Sequence, residues 1–141
     1  MSLKTFEHVL ILADDLKKTK EFYVDLLGLK DGYRPEFPFP GHWLYLNEDD
    51  KAACIHLAMR KQGNGQDYYI GKKNTVKSGS GAIDHVAFNC EDIDSMKEMF
   101  DNKSIEYTHR KVPGFPLEQL FVDDPDGVKV CLLYTSPSPR D

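Results

Sequence analysis

Two copies of one pattern, Phe6-Glu7-His8-Val9 and Ile83-Asp84-His85-Val86, limit what this chain can fold into. With His8 set on His85, an offset of 77 residues, the match runs on: Asp15 meets Asp92, Leu16 meets Ile93, Lys20 meets Lys97 and Glu21 meets Glu98. Such an internal repeat implies one supersecondary unit used twice. A lone histidine in an apolar strand is more often a satisfied core residue, but a histidine at the same place in both copies points to two convergent ligands. The 141 residues fit one compact domain or two fused half-domains, of roughly 60–70 residues each.

Both halves read β-α-β-β-β. Thr5 to Leu12 is an apolar run broken by one histidine, so a buried strand. Asp14-Asp15 offers an N-cap. Leu16, Thr19, Phe22, Tyr23, Leu26 and Leu27 then fall on one helical face, and Gly28 ends the helix. Leu29 to Arg34 reads as a short strand and the proline-rich Pro35 to Gly41 as a loop. His42 to Leu46 and Ala52 to Met59 are two further strands. In the second half, Ala82 to Asn89 is the histidine strand. Asp92 caps a helix carrying Ile93, Met96 and Phe100, and Ile105 to Val112, Leu117 to Asp123 and Val128 onward are strands. Asp124-Pro125-Asp126-Gly127 forms a tight turn between the last two. The expected domains are a first module over 1–59, a polar, mobile linker over 60–81 in which Tyr68-Tyr69-Ile70 packs, and a second module over 82–134.

A net charge of −5 argues against a nucleic-acid partner, which calls for a basic face. No stretch approaches the ~20 apolar residues of a membrane span, and the start of the chain has no signal-peptide character. Cys54, Cys90 and Cys131 are sparse, odd in number and without CxxC spacing, which implies reduced thiols and a cytoplasmic home.

Side chains in a strand alternate faces. His8, Leu10 and Leu12 share one face, as do Cys54, His56 and Ala58, then Ile83, His85 and Ala87, then Lys129, Cys131 and Leu133. If both sheets curl around one cavity, His8, His56, His85 and residue 131 point inward together. His56 rests on alternation alone. Three neutral imidazoles and an anionic fourth donor make a site for a divalent metal, with Fe, Zn, Ni, Co and Mn as candidates. His42, beside the proline loop, and His109, in the charged run His109-Arg110-Lys111, read as surface residues.

These residues resemble the vicinal oxygen chelate superfamily, which includes glyoxalase I, extradiol dioxygenases, fosfomycin-resistance transferases, methylmalonyl-CoA epimerase and the bleomycin-binding proteins. The marks are the histidine strand followed by Asp15-Leu16 and Phe22-Tyr23, the helix end Leu26-Leu27-Gly28-Leu29, the run Ile83-Asp84-His85-Val86-Ala87-Phe88, and Asp124-Pro125-Asp126-Gly127. The resemblance runs from about Phe6 to Val130 and implies an α+β fold of paired βαβββ modules, with curved mixed sheets around a metal-binding cleft. It implies metal ligands on the first and fourth strands of each half (His8, His56, His85 and position 131) and a homodimer. The family usually places glutamate at the fourth position, in a Gly-x-x-x-Glu-Leu context. Here Gly127-Val128-Lys129-Val130 leads to Cys131.

The run from Cys131 to Asp141 resembles the conceptual translation of a transposon-type sequencing adapter. Residues 131–141 are therefore expected to be a non-native tail, with Cys131 standing where the parent protein carries glutamate.

A metal with open positions can chelate two vicinal oxygens of a small substrate and act as a Lewis acid. Phe37, Phe39, Trp43, Tyr45 and Phe115 are the expected walls of the cavity mouth, though ordinary strand packing would explain them equally well. Gln119, on one strand face with Phe121, is a candidate polar contact. Arg34 and Arg110 are either carboxylate holders or plain surface charges. No catalytic acid, base or nucleophile stands out. The expected function is a metalloenzyme acting on a small molecule as a lyase, isomerase or ring-cleaving dioxygenase. The alternative is a non-catalytic drug-binding protein of the bleomycin-resistance type. The three histidines favour the enzyme.

Overall fold

A computed structural model describes residues 5–60, 78–81, 83–111 and 116–135. The chain divides into two compact units, Met1–Lys77 and Ser78–Asp141. Each is a βαβββ module with one four-stranded mixed sheet, so the protein is α+β.

In the first unit, β1 (Val9–Ala13) leads through α1 (Leu16–Glu21) to β2 (Lys30–Gly32), β3 (Gly41–Tyr45) and β4 (Ile55–Met59). The sheet order is β1-β4-β3-β2. The outer pair β1 and β4 is parallel, with Leu10 opposite His56; β3 runs antiparallel to β4, with Trp43 opposite the same His56. A parallel pair needs a long crossover, and α1, β2 and β3 supply it. Asp15 caps α1 by accepting from the Lys18 backbone N–H. The helix then widens into a π-helical turn over Phe22–Leu26, and Gly28, at φ +86°, ends it. Tyr23 and Thr19 are fully buried on the helix side, with Leu44, Ile55 and Leu57 in the same core. On the opposite face Leu12, Phe39 and Ala58 form a separate buried cluster, against which Phe37 packs.

The second unit repeats the plan: β5 (Val86–Asn89), α2 (Ile93–Asn102), β6 (Thr108–Lys111), β7 (Leu117–Asp123) and β8 (Lys129–Thr135), in the order β5-β8-β7-β6. Here β5 is parallel to β8, with Ala87 opposite Cys131. Asp92 caps α2, accepting from the Ser95 backbone N–H. Phe100, Leu120 and Val130 are fully buried. At the β7–β8 turn Gly127 takes φ +83°, and the Asp124 carboxylate accepts from the backbone N–H groups of Asp126 and Val128.

Several strands are shorter than their apolar runs. β1 begins at Val9, not Thr5, because the Val9 N–H makes the first bond to the neighbouring strand's lead-in, at Cys54 O. Upstream, Phe6 is 85% exposed. Ile83, its repeat counterpart, is 62% exposed and also precedes its strand. Ile105 belongs to the helix exit, bonding Phe100 O, so β6 starts only at Thr108. The segment Cys131–Thr135 of the supposed tail is ordinary strand, paired in register from Phe121 to Leu117. Ser136 to Asp141, most of the linker with Tyr68-Tyr69-Ile70, and Phe115 lie outside the described residues.

Truncating a fully buried ring leaves a cavity, whereas truncating an exposed one does not. Phe100→Ala should lose about 3–5 kcal/mol in urea unfolding, and Phe6→Ala should stay within about 0.5 kcal/mol of the parent.

Candidate metal centre

The register brings the candidate donors together in pairs. His8, just before β1, and His56, on β4, lie on one face of the first sheet with ring centroids 3.6 Å apart and planes 10° from parallel. Trp43 stacks on His56 at 4.0 Å and 12°, which gives a three-ring stack across adjoining strands. The His56 imidazole is pulled from its ordinary 6.5 down to about 4, chiefly by burial and then by His8 beside it. At neutral pH it is therefore uncharged, the state in which an imidazole nitrogen can bind a metal.

In the second unit His85, just before β5, and Cys131, on β8, lie on one sheet face, since Ala87 pairs with Cys131 and His85 is two residues before Ala87. The His85 ring meets Phe121 edge-on at 5.7 Å. Cys131 is fully buried. Burial pushes its thiol pKa up, against the hydrogen bond that Gln119 Nε2 donates to Sγ at 3.8 Å.

A feature common to both copies was missed in the sequence. Glu7 Oε1 lies 3.0 Å from His8 Nδ1, and Asp84 Oδ2 lies 2.8 Å from His85 Nδ1. A carboxylate accepting from Nδ1–H leaves the Nε2 lone pair free and turns the ring, as outer partners of metal-bound histidines do. Asp84 is held below the usual carboxylate range first by His85 and then by Lys129, whose Nζ is 3.2 Å away. The signal was available: an acid precedes the repeated histidine in both copies.

The walls sort less evenly. A pocket of about 280 Å³ in the first unit is lined by His8, His56, Trp43, Phe37, Phe39 and Arg34, among others. Tyr45 is not part of it; its ring lies close over Gly32 and its hydroxyl donates to Tyr33 O at 2.7 Å. Gln119 accepts from both Arg110 Nε and Nη2, at 3.2 and 2.9 Å. His42 and His109 fall on the opposite sheet faces, partly buried rather than on the open surface, beside Asp31 at 3.1 Å and Glu118 at 3.5 Å.

Two imidazoles with free nitrogen lone pairs in a half-apolar pocket suit a borderline divalent metal. Within neither unit do three His, Cys, Asp or Glu side chains of the described residues converge. Among the same residues no helix is long and apolar enough to cross a membrane.

Residues 5–132 match the family model of the Glyoxalase/Bleomycin resistance protein/Dioxygenase superfamily. The chain belongs to that superfamily. It is 26% identical over 136 residues to Glyoxylase I 4 of Arabidopsis thaliana, covering 93% of this chain and 72% of the relative. It is 29% identical over 137 residues to a probable lactoylglutathione lyase of Synechocystis, covering 92% and 94%. The crystal structure of lactoylglutathione lyase from Agrobacterium tumefaciens superposes with a TM-score of 0.70 at 18% identity, covering 94% of this chain and 95% of that one, which shows a shared fold.

Because folded His56 takes up a proton only near pH 4 while an unfolded imidazole does so near 6.5, the unfolded chain binds more protons between those values. His56 stabilises the fold fully above about pH 6.5, and that contribution drains away as pH falls to about 4. Denaturant midpoints should drop across this window, and less steeply in His56→Phe. Parallel slopes for the two proteins would show that His56 does not cause the drop.

Proposed function

We propose that this protein is a divalent-metal lyase of the glyoxalase type, acting on a small molecule that presents two vicinal oxygens. The supporting observation is the stacked pair His8–His56 on the wall of a half-apolar pocket. The names of the relatives in Arabidopsis and Synechocystis point to the same lyase class. On this reading each unit supplies two ligands, His8 and His56 from the first, His85 and residue 131 from the second, and the working form is a homodimer.

The metal, when bound, would polarise the substrate oxygens as a Lewis acid. The rest of the work falls to the chain. Glu7 and Asp84 hold the Nδ1 protons of His8 and His85 and so keep Nε2 as the donor nitrogen. His56 is already neutral and gives up no proton on binding. Phe37, Phe39 and Trp43 keep water from the pocket and strengthen its polar contacts. Cys131 is the weakest member, because its thiol must lose a proton before it can bind, and a thiolate favours soft ions.

Metal analysis of the protein as purified tests the reading. His56→Ala and His85→Ala should each lower occupancy by about 10-fold or more, and His109→Ala should leave it unchanged. Metal-loaded protein should act on a small substrate with two vicinal oxygens that the metal-free protein leaves unchanged. Stoichiometric iron with ring-cleaving activity would favour a dioxygenase, and metal-free protein that still binds small molecules would favour a drug-binding protein.

Position 131 gives a sharper test. A glutamate at this fully buried place costs stability unless a cation neutralises it. Cys131→Glu should therefore melt lower than the parent without metal and gain more from Fe(II) than the parent does. An equal Fe(II) response in both proteins would remove residue 131 from the ligand set.

A further inference from the structure

Three arginines lie within the described residues, and Arg34 differs from the other two. Arg60 Nε donates to Asp14 at 2.8 Å, and Arg110 donates twice to Gln119. Arg34, partly buried, has no carboxylate within ion-pairing distance among the described residues and no side-chain hydrogen-bond partner there. Its Nη2 donates to Phe39 O at 3.0 Å. Its Nε is out of solvent and has no partner among the described residues. The Nη1 hydrogens are not engaged by any described residue.

This guanidinium is nevertheless firmly seated. It lies over the rings of Phe37 and Phe39, 5.0 and 5.1 Å from their centroids. Gly41, across from it, makes the seat possible: a Cβ there would come within 2.8 Å of Nη2, 3.0 Å of Nε and 2.4 Å of Leu57 O. An exposed arginine would need no such accommodation. Burial draws the Arg34 pKa down from its ordinary value, and a guanidinium taken partly out of water gains from a bound anion. Arg34 also lines the pocket that holds His8 and His56.

We infer that Arg34 is the anion anchor of this pocket and that the ligand is a small apolar carboxylate, its carboxylate on the Nη1 side of the guanidinium and its body against Phe37 and Trp43. Arginine's fork matches the two oxygens of a carboxylate, and a pocket of about 280 Å³ has room for a small molecule. The inference rests on the reading that this pocket receives the substrate, and it adds the substrate's charge.

Trp43 is the only tryptophan in the chain, so its fluorescence reports on this pocket alone. Benzoate and its uncharged counterpart benzamide are titrated into the protein as purified, into Arg34→Gln, and into Lys17→Gln as a surface-charge control. Benzoate should bind at least ~10-fold more tightly than benzamide to the parent and to Lys17→Gln. Arg34→Gln should erase that ratio while benzamide affinity and the circular dichroism spectrum hold, and Arg34→Lys should restore part of it. If Arg34 only braces the loop, Arg34→Gln will lower the melting temperature and leave the ratio intact, which overturns the anchor. Equal binding of the two probes to the parent also overturns it, with the pocket still standing as a ligand site. If neither probe alters Trp43 emission, the anchor falls together with the reading of the pocket.

Discussion

The parallel pairing of first and fourth strands is the constraint on which the candidate site depends. It sets the His8 strand beside His56 in one unit and the His85 strand beside Cys131 in the other. Residues far apart in sequence thereby share a sheet face. Once that pairing is made, period-two alternation decides the rest. Apolar partners such as Ile55 and Leu57, or Val130 and Leu132, take one sheet face and are buried there, and the candidate donors His56 and Cys131 take the other. A slip of one residue in either parallel pair would exchange the two sets, burying imidazoles under the helix and exposing the core.

The duplication reaches further than sequence alignment shows. Trp43 lies opposite His56, and Phe121 lies opposite Cys131. Arg34 follows β2 beside Gly41, and Arg110 lies opposite Gln119. Each unit therefore carries the same four-part arrangement: a histidine before the first strand, an arginine from the second, an aromatic ring from the third and a candidate donor on the fourth. These four parts are separated by offsets that differ by a residue or two, because the loops between strands differ in length. A single fixed offset recovers only the first strand and the helix.

This explains what could be read from the sequence and what could not. The helix caps Asp15 and Asp92, the stop at Gly28 and the turn at Gly127 are local signals, and each appears in the structure. Strand ends are not local. Apolar character carried Thr5 to His8 into the expected strand, but a strand ends where its ladder partner ends. At the site, alternation put His56 on the His8 face and His42 on the other. It could not show that Tyr45, which shares the Trp43 face, leaves the pocket to bond Tyr33. Nor could it show that Arg34 sits between aromatic rings over a glycine, because that arrangement depends on the path of a proline loop.

The two kinds of histidine are oriented by different means. His56 takes its attitude from neighbours on other strands, so any change in sheet packing is felt there. His8 and His85 take theirs from the residue immediately before them. Much of their aim is written in a dipeptide, with Lys129 steadying Asp84 and the His56 ring lying flat against His8. Such a unit can be copied, moved or inherited with its geometry intact. When a module of this kind is duplicated, the dipeptide carries its acid and its histidine into the new copy together, whereas the orientation of a fourth-strand donor such as His56 depends on the strands around it.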